Sequence, residues 1–286
     1  MPNAANRELL ALVRLEELMA RTAGSPEVRI GLIDGPLALD HPDLASQSLQ
    51  IVGSPAGAAC GGAGDAACGH GTFVAGILAA RRESSAPALC PDCTLLVRPI
   101  FTLRARGASP QDLAAALRDC IAAGAHILNL SLGVLRATGL EERGLQEGLD
   151  YAARRGVLVV AAAGNEGSVG SSVLTRHPWA IPVVACDLAG RPVGFSNLGR
   201  SIGRHGVRAP GESVQSLSTG GSFFVAGGTS AAAPFVTGAL ALLWSLFPRA
   251  HAAALRSAVG ASAGQVASLV PALLDAQTAY RRLASL

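Results

Sequence analysis

Four polar residues of this 286-residue chain stand in segments that could support nucleophilic catalysis. Asp34 ends an apolar run, His70 lies between two glycines, and Asn165 and Ser230 adjoin alanine-rich runs. A serine hydroxyl attacks a carbonyl carbon when a base takes its proton, and a histidine base needs a carboxylate that fixes its tautomer. A side-chain amide can donate to the oxyanion that forms. Together, these four residue types predict acyl-transfer chemistry.

Each of the four residues also has a purely structural explanation. An aspartate or a serine can cap a helix, an asparagine can occupy a left-handed turn, and a histidine can belong to a core. The combination favours catalysis, because the adjacent glycines would let a substrate approach the backbone. These glycines are Gly69, Gly71, Gly164 and Gly228. Ser230 would also stand at a helix N-terminus, where the helix dipole stabilises negative charge.

The elements that must position these residues alternate along the chain. Short apolar runs predict strands over 28–34, 94–100, 126–131, 157–163 and 181–186. Helical patterns lie between or after them, over 69–80, 110–123, 140–155 and 229–247. This alternation predicts an α/β fold, with a parallel twisted sheet sandwiched by helices in a single domain. Chemistry in such sheets is found at the carboxyl ends of the strands, where Asp34 and Asn165 would lie.

The segments around these residues resemble the catalytic blocks of the subtilisin-like serine proteases, or subtilases. Residues 70–76 read H-G-T-F-V-A-G, and residues 228–234 read G-T-S-A-A-A-P. The order Asp, His, Asn, Ser along the chain also matches that of the family. The resemblance covers almost the whole chain after an N-terminal helical extension over 1–25. It implies a subtilisin-like peptidase domain over 26–286.

The resemblance assigns a role to each of the four residues. By this likeness, Asp34 orients His70, which acts first as general base and then as general acid. Ser230 is the nucleophile, and Asn165 donates a hydrogen bond to the oxyanion. The implied activity is that of a serine endopeptidase, and the implied partner is a peptide.

The resemblance also implies where the peptide binds. One segment would pair with the substrate backbone, and another would form a wall of the P1 pocket, which holds the side chain before the cut bond. These segments are Ser131, Leu132 and Gly133 for the strand, and Ala162, Ala163 and Gly164 for the wall. Arg176 falls at the floor of the pocket on the family's spacing. Its guanidinium there would favour a small, polar or acidic P1 residue, and an outward-turned arginine is the alternative.

Two departures from the common subtilase pattern narrow the resemblance. The aspartate block reads Asp34-Gly35-Pro36 instead of Asp-Ser/Thr-Gly, and Ala231 replaces a common methionine. The aspartate block and residues 195–197 are similar to the cyanobactin-maturation proteases, which cut leader or follower sequences from ribosomally made peptides. This likeness implies an enzyme that processes a precursor peptide inside the cell. The alternatives are a general secreted or housekeeping subtilase and a catalytically silent peptide-binding homologue.

No cofactor is expected, but several residues could hold a metal. Asp43 matches a calcium-ligand position of the subtilases, although the family's calcium loop is not recognisable, so a structural calcium is not expected. Cys90 and Cys93 have the C-x-x-C spacing of a zinc half-site or a redox pair. A zinc site would need further ligands, for which Cys60 and Cys68 are the candidates. A Cys60–Cys68 disulfide and free thiols, the default in the cytosol, are the alternatives.

Composition excludes several classes of function. The net charge of +3 is too small to argue for a nucleic-acid or membrane partner, and half of the residues are hydrophobic, which excludes a disordered chain. No run reaches the roughly 18 apolar residues that a membrane span requires. The N-terminus has charged residues at helical spacing in place of the apolar core of a signal peptide. We therefore expect a cytoplasmic protein.

Overall fold

The computed structural model describes residues 2–53, 60, 64–101, 109–132, 140–260 and 268–286. Its helices are α1 (Ala4–Leu12), α2 (Leu15–Met19), α3 (Ala66–Ala79), α4 (Pro110–Ala122), α5 (Leu140–Arg154), α6 (Val173–Arg176), α7 (Arg200–His205), α8 (Thr229–Leu246), α9 (Ala252–Gly260) and α10 (Ala276–Ala284). Its strands are β1 (Arg29–Asp34), β2 (Leu49–Ile51), β3 (Thr94–Pro99), β4 (Ile127–Leu130), β5 (Leu158–Ala162), β6 (Ala180–Cys186), β7 (Val207–Pro210), β8 (Val214–Leu217) and β9 (Phe223–Ala226).

The main sheet has the strand order β2-β3-β1-β4-β5-β6-β7, and all neighbouring strands are parallel. In β1, Ile30 is paired with Leu95 of β3 on one side and with Ile127 of β4 on the other. Parallel neighbours need crossover connections, which the helices provide. The predicted α/β fold with a parallel sheet between helices is confirmed.

The five central strands of the sheet are buried on both faces, with successive side chains pointing to opposite sides. Ile30 and Leu32 of β1 belong to the larger apolar core, which includes side chains of α3 and α8. Ile33 belongs to the smaller core, which includes side chains of α4 and α5. This two-sided burial explains why the strand segments read as continuous apolar runs. Because β1, β4 and β5 are parallel neighbours, their carboxyl ends lie side by side at one end of the sheet.

Helix α8 is, among the described helices, the one that is long and apolar enough to cross a membrane. However, 78% of it is buried inside the fold, which is typical of the core helix of a globular domain.

The N-terminal helical extension predicted over 1–25 consists of two short helices, α1 and α2. Arg14 has a left-handed backbone with a φ of 56° and separates α1 from α2. Leu10 and Leu18 are buried in the larger core. The Arg82 guanidinium donates to the Thr22 carbonyl at 3.0 Å and so ties the end of this segment to the main body. The division into an extension and a main domain stays a prediction, but both parts share one core.

Strands β8 and β9 form a separate antiparallel pair, which was not predicted from the sequence. β9 ends at Ala226, and two glycines connect it to the first residue of α8. The hairpin therefore leads directly into the segment that contains Ser230.

Candidate active site

Asp34 and His70 form a hydrogen-bonded pair at the carboxyl end of β1. The distance between His70 Nδ1 and Asp34 Oδ1 is 2.7 Å, and the same oxygen accepts the Gly35 N–H at 2.7 Å. The Asp34 side chain is fully buried, whereas 37% of the His70 side chain is exposed. The Asp34 charge raises the pKa of His70 above its ordinary value, against the opposing effect of burial. A neutral His70 that donates from Nδ1 presents Nε2 as a base.

Two glycines explain why this pair can form. A Cβ on Gly35 would lie 2.0 Å from the Ala67 carbonyl oxygen, and a Cβ on Gly71 would lie 2.6 Å from the Pro36 carbonyl oxygen. The first turns of α3 therefore rest directly on the backbone after β1, with no room for a side chain between them. This close approach holds His70 against Asp34.

The start of α3 is fixed by Asp65, which was not predicted from the sequence. The Asp65 side chain accepts the N–H groups of Ala67 at 3.0 Å and Cys68 at 3.2 Å, as an N-cap does. The helix consequently begins at Ala66, three residues before the predicted start at 69.

The cysteines do not form the zinc site that the sequence left open. The structure joins Cys60 to Cys68 by a disulfide, which removes two of the four thiolates that such a site would need. The described residues contain no group of three or more His, Cys, Asp and Glu side chains that could hold a metal ion. Cys90 and Cys93 are free and buried. Burial also raises the pKa of Cys120 to about 12, so this thiol is not a ready nucleophile.

The carboxylate at the family's calcium position is occupied by protein groups. The Arg81 guanidinium donates to Asp43 Oδ1 at 3.0 and 2.7 Å, and the Ser84 hydroxyl donates to Oδ2 at 2.8 Å. Burial disfavours the charged form of Asp43, but these two partners lower its pKa overall. Arg81 thus supplies positive charge next to this carboxylate.

Ser230 and Asn165 meet at the N-terminus of α8. Ser230 is the second residue of this helix, and Asn165 lies in the loop that follows β5. Asn165 Oδ1 accepts the Thr229 N–H at 2.9 Å and the Thr229 hydroxyl at 3.0 Å. A backbone N–H can only donate, so the amide must face it with its oxygen. Its Nδ2 group therefore lies on the other side of the amide, where it can donate to a substrate.

Gly228 keeps a space open between these two side chains. A Cβ at this position would lie 3.4 Å from both Asn165 Nδ2 and Ser230 Oγ, and its φ of +131° also favours glycine. A carbonyl group of a substrate in this space would meet a hydroxyl and an amide donor together, as acyl transfer requires. The positive end of the α8 dipole lies at the same place.

A chain of largely buried hydrogen bonds connects Ser230 to the end of β4. The Ser131 hydroxyl donates to the Ser230 carbonyl at 2.9 Å and accepts from Asn129 Nδ2 at 2.8 Å. Asn129 Oδ1 in turn accepts the Thr237 hydroxyl at 2.8 Å. These contacts couple the end of β4 to Ser230 in the first turn of α8 and to Thr237 about two turns further along. Asn129 and Thr237 were not singled out from the sequence, because their bond joins residues 108 positions apart.

The pairs Asp34–His70 and Asn165–Ser230 lie on elements that pack together, since α3 contacts α8. Among the described residues, no hydrogen bond joins Ser230 Oγ to His70. Catalytic hydrogen bonds are often long in the absence of a substrate and shorten when one binds, so the geometry remains compatible with catalysis.

The residues of the predicted peptide-binding strand and pocket wall lie at the carboxyl ends of β4 and β5, which are neighbouring strands. Ser131 and Leu132 follow β4 and are buried, whereas Gly133 lies outside the described residues. In the predicted wall, Ala162 ends β5 and Ala163 and Gly164 follow it; the two alanines are buried, and Gly164 is half-buried. Gly164 has a φ of +106°, which glycine adopts more easily than other residues.

Arg176 is placed at the end of α6 in an ion pair with Glu142 of α5. Its side chain is 53% exposed. The Glu142 carboxylate partly neutralises the charge of the guanidinium. The role of Arg176 in a P1 pocket stays a prediction.

Asn197 organises the loop that follows Asn165, a role that was not predicted from the sequence. Asn197 Oδ1 accepts the N–H groups of Glu166 at 3.2 Å and Ser168 at 3.0 Å, and Nδ2 donates to the Ala163 carbonyl at 3.3 Å. No sequence signal marks these bonds, because they join segments about thirty residues apart.

Known proteins match this chain over most of its length. The Subtilase family matches residues 25–279. Subtilisin DY of Bacillus licheniformis is 29% identical over 89% of this chain and 90% of its own length, and the subtilisin of Bacillus pumilus is 32% identical over 77% and 78%. Among solved structures, the prenylagaramide maturation protease PagA has a TM-score of 0.84 and 28% identity, covering 94% of this chain and 98% of its own. The patellamide maturation protease PatA has a TM-score of 0.79 and 31% identity, covering 92% and 98%. The chain belongs to the subtilase family of serine proteases.

Proposed function

We propose that this subtilase processes a precursor peptide of a ribosomally made natural product. The supporting observation is the similarity to PagA and PatA, whose names describe maturation proteases and which cover more than 90% of this chain. Asp34, His70, Asn165 and Ser230 would supply the chemistry.

In the proposed acylation step, Ser230 Oγ attacks the carbonyl carbon of the scissile bond, and His70 Nε2 takes the hydroxyl proton. Asp34 holds the Nδ1–H of His70 and stabilises the imidazolium that forms. The oxyanion accepts hydrogen bonds from Asn165 Nδ2 and from the Ser230 N–H, which lies in the first turn of α8 and so lacks an intrahelical acceptor.

Collapse of the tetrahedral intermediate then breaks the carbon–nitrogen bond. His70 gives its proton to the leaving amine, and the acyl group stays on Ser230. A water molecule, deprotonated by His70, attacks this ester and releases the acid. The peptide backbone before the cut lies along residues 131–133 as an added strand, and the P1 side chain lies against residues 162–164.

The predicted cytoplasmic location belongs to this proposal. The four free cysteines of the described chain favour a reducing compartment, whereas the Cys60–Cys68 disulfide would be unusual there. Fractionation of native cells, followed by a thiol titration of the isolated protein, tests the location.

The proposal is tested by comparing two substrates for the purified protein. One is a precursor peptide encoded beside its own gene, and the other is an unstructured peptide of equal length and unrelated sequence. We expect one cut in the precursor, by mass spectrometry, with a kcat/KM at least roughly a hundredfold above that for the unrelated peptide. Ser230→Ala is the matched inactive control. Many cuts in both peptides at similar rates would favour a general subtilase, and binding without cleavage would favour a silent homologue.

A further inference from the structure

The β8–β9 hairpin exposes an unusual amount of apolar surface. Phe223, Phe224 and Val225 are consecutive in β9, and they are 41%, 57% and 54% exposed. The other exposed large apolar residues of the described chain are not consecutive. An exposed apolar edge strand tends to pair with other chains unless a binding partner covers it.

The hairpin is fixed to the body of the protein at both strands. The Asn6 side chain donates to the Gln215 carbonyl at 2.8 Å and accepts the Gln215 N–H at 3.2 Å, which caps the outer edge of β8. On the β9 side, the Phe223 ring packs edge-on against His41, with the centroids 6.2 Å apart. The apolar surface therefore belongs to a positioned strand.

Among the described residues, the outer backbone edge of β9 has no hydrogen-bond partner. Gln215 lies opposite Val225, and because its N–H and C=O groups point outward, this pair exchanges no ladder bonds. The N–H and C=O groups of Val225 must then point away from β8 as well, and those of Phe223 follow by alternation. These four groups bond to no other residue in the part of the chain that the structure describes.

This free edge lies beside the candidate active site. The Phe224 ring packs against that of Phe73, with the centroids 6.4 Å apart, and Phe73 stands one turn beyond His70 on α3. β9 also ends four residues before Ser230. The histidine that protonates the leaving amine must face the part of the substrate that follows the cut bond. The contact with Phe73 therefore places β9 near the His70 side of the site, from which that part of the peptide departs.

We propose that β9 binds the segment of the substrate that follows the cut bond, as an added strand. The backbone groups of Phe223 and Val225 pair with the peptide, and the exposed side chains contact apolar residues of that segment. The substrate class is consequently a peptide whose residues after the cut are apolar and extended. This inference rests on the proposed peptidase function and adds a preference on the far side of the cut.

The test compares two substrates that share the sequence before the cut. One is a peptide with three apolar residues after the cut, and the other is an anilide that has none. Val225→Pro removes the outward N–H of Val225 without breaking a ladder bond, because proline is tolerated at such edge positions. Val225→Ala keeps this N–H but trims the side chain. Leu188→Ala, at an exposed apolar residue outside the hairpin, is the control.

We expect Val225→Pro to lower the ratio of kcat/KM for the peptide to that for the anilide by about tenfold, with a smaller loss for Val225→Ala and none for Leu188→Ala. A ratio that does not change in Val225→Pro would overturn the proposal. So would a wild-type ratio that stays the same when the apolar residues are replaced by glycine and serine. A loss of self-association in Val225→Pro with an unchanged ratio would show that β9 pairs with a second copy, which also overturns it.

A binding measurement separates this proposal from the peptidase function on which it rests. The released segment, labelled with a fluorophore, is titrated into Ser230→Ala protein with and without Val225→Pro. Saturable binding that weakens about tenfold with Val225→Pro supports the β9 site even if the precursor is not the natural substrate. Equal binding to both proteins contradicts the β9 site even if the precursor is cut.

Discussion

In the acid–base half of the site (Asp34 and His70), backbone lies against backbone, whereas in the nucleophile half (Asn165 and Ser230), side chains make the connections. A Cβ on Gly35 would lie 2.0 Å from the Ala67 carbonyl oxygen of α3, so the first half has no room for a side chain at this position. The second half is held by hydroxyl and amide bonds, such as the one from Ser131 to the Ser230 carbonyl. It is therefore sensitive to the loss of a hydrogen bond.

The largest effect should show that the two halves act as one unit. Ser230→Ala and His70→Ala should each lower kcat by a factor on the order of 10⁶, a magnitude known from subtilisin, and the double variant should lose little more. Peptide hydrolysis measured by mass spectrometry, with circular dichroism to confirm folding, checks this. Additive losses in the double variant would mean that the two residues act independently.

The next effect concerns the oxyanion donor of the nucleophile half. Asn165→Leu should lower kcat by roughly 10²–10³ and change KM little, because the amide bonds a charge that exists only in the transition state. Steady-state kinetics on one peptide give both constants. An equal rise of KM with an unchanged kcat would place Asn165 in ground-state binding instead.

The hydrogen-bond support of the nucleophile half can be broken without changing its shape. Thr237→Val leaves Asn129 Oδ1 buried without its donor, which should lower the free energy of unfolding by about 1–3 kcal/mol. Urea denaturation measures this, and Thr237→Ser, which keeps the hydroxyl, should recover most of the loss. If serine and valine at this position are equally destabilising, packing and not the hydrogen bond matters there.

The acid–base half should set the pH dependence. Only neutral His70 can take the serine proton, and Asp34 raises its pKa, so kcat/KM should rise with pH through a midpoint above about 6.5. The stabilisation from the His70–Asp34 pair is present at lower pH and is lost as pH rises through that same pKa. Rates between about pH 5 and pH 9 test this. A flat profile would point to another base or another limiting step.

The smallest effect lies outside both halves. We expect the wild type to prefer small, polar or acidic P1 residues. Arg176→Gly should lower the preference for an acidic residue by about two- to fivefold, since exposed ion pairs are worth at most about 1 kcal/mol. Glu142→Gln, which frees the guanidinium, should raise that preference. Cleavage of a library of peptides that differ only at P1 measures the preference of the wild type and of both variants. A wild-type preference for Phe or Leu, or no change in Arg176→Gly, would place Arg176 outside the pocket.

The five central strands of the main sheet were predictable, because they are buried and read as apolar runs. The two outer strands, β2 and β7, were not predicted, because β2 has only three residues and is partly exposed and β7 has only four. β1 was predicted over 28–34 and extends over Arg29–Asp34. The β8–β9 hairpin was not predicted, because each strand has only four residues and alternation over so short a length is a weak signal. The α3 start was misplaced because its cap, Asp65, lies in a glycine-rich segment that reads as a loop.

In the site, the residue types that do chemistry were recognisable from their flanking motifs. Their supporting contacts were not, because Thr229, Asn197 and Thr237 act through bonds to segments that are distant in sequence. Short motifs report what a segment contains, whereas these bonds depend on which strands become neighbours in the sheet.

In the proposed mechanism, Ser230 is a nucleophile activated by His70. The most direct measurement is covalent labelling with a fluorophosphonate, followed by peptide mapping in the wild type and in His70→Ala. We predict one label per chain on Ser230 in the wild type and almost none in His70→Ala, because the hydroxyl needs its base. Labelling of another residue, or cleavage of peptides by a wild type whose Ser230 stays unlabelled, would contradict the claim.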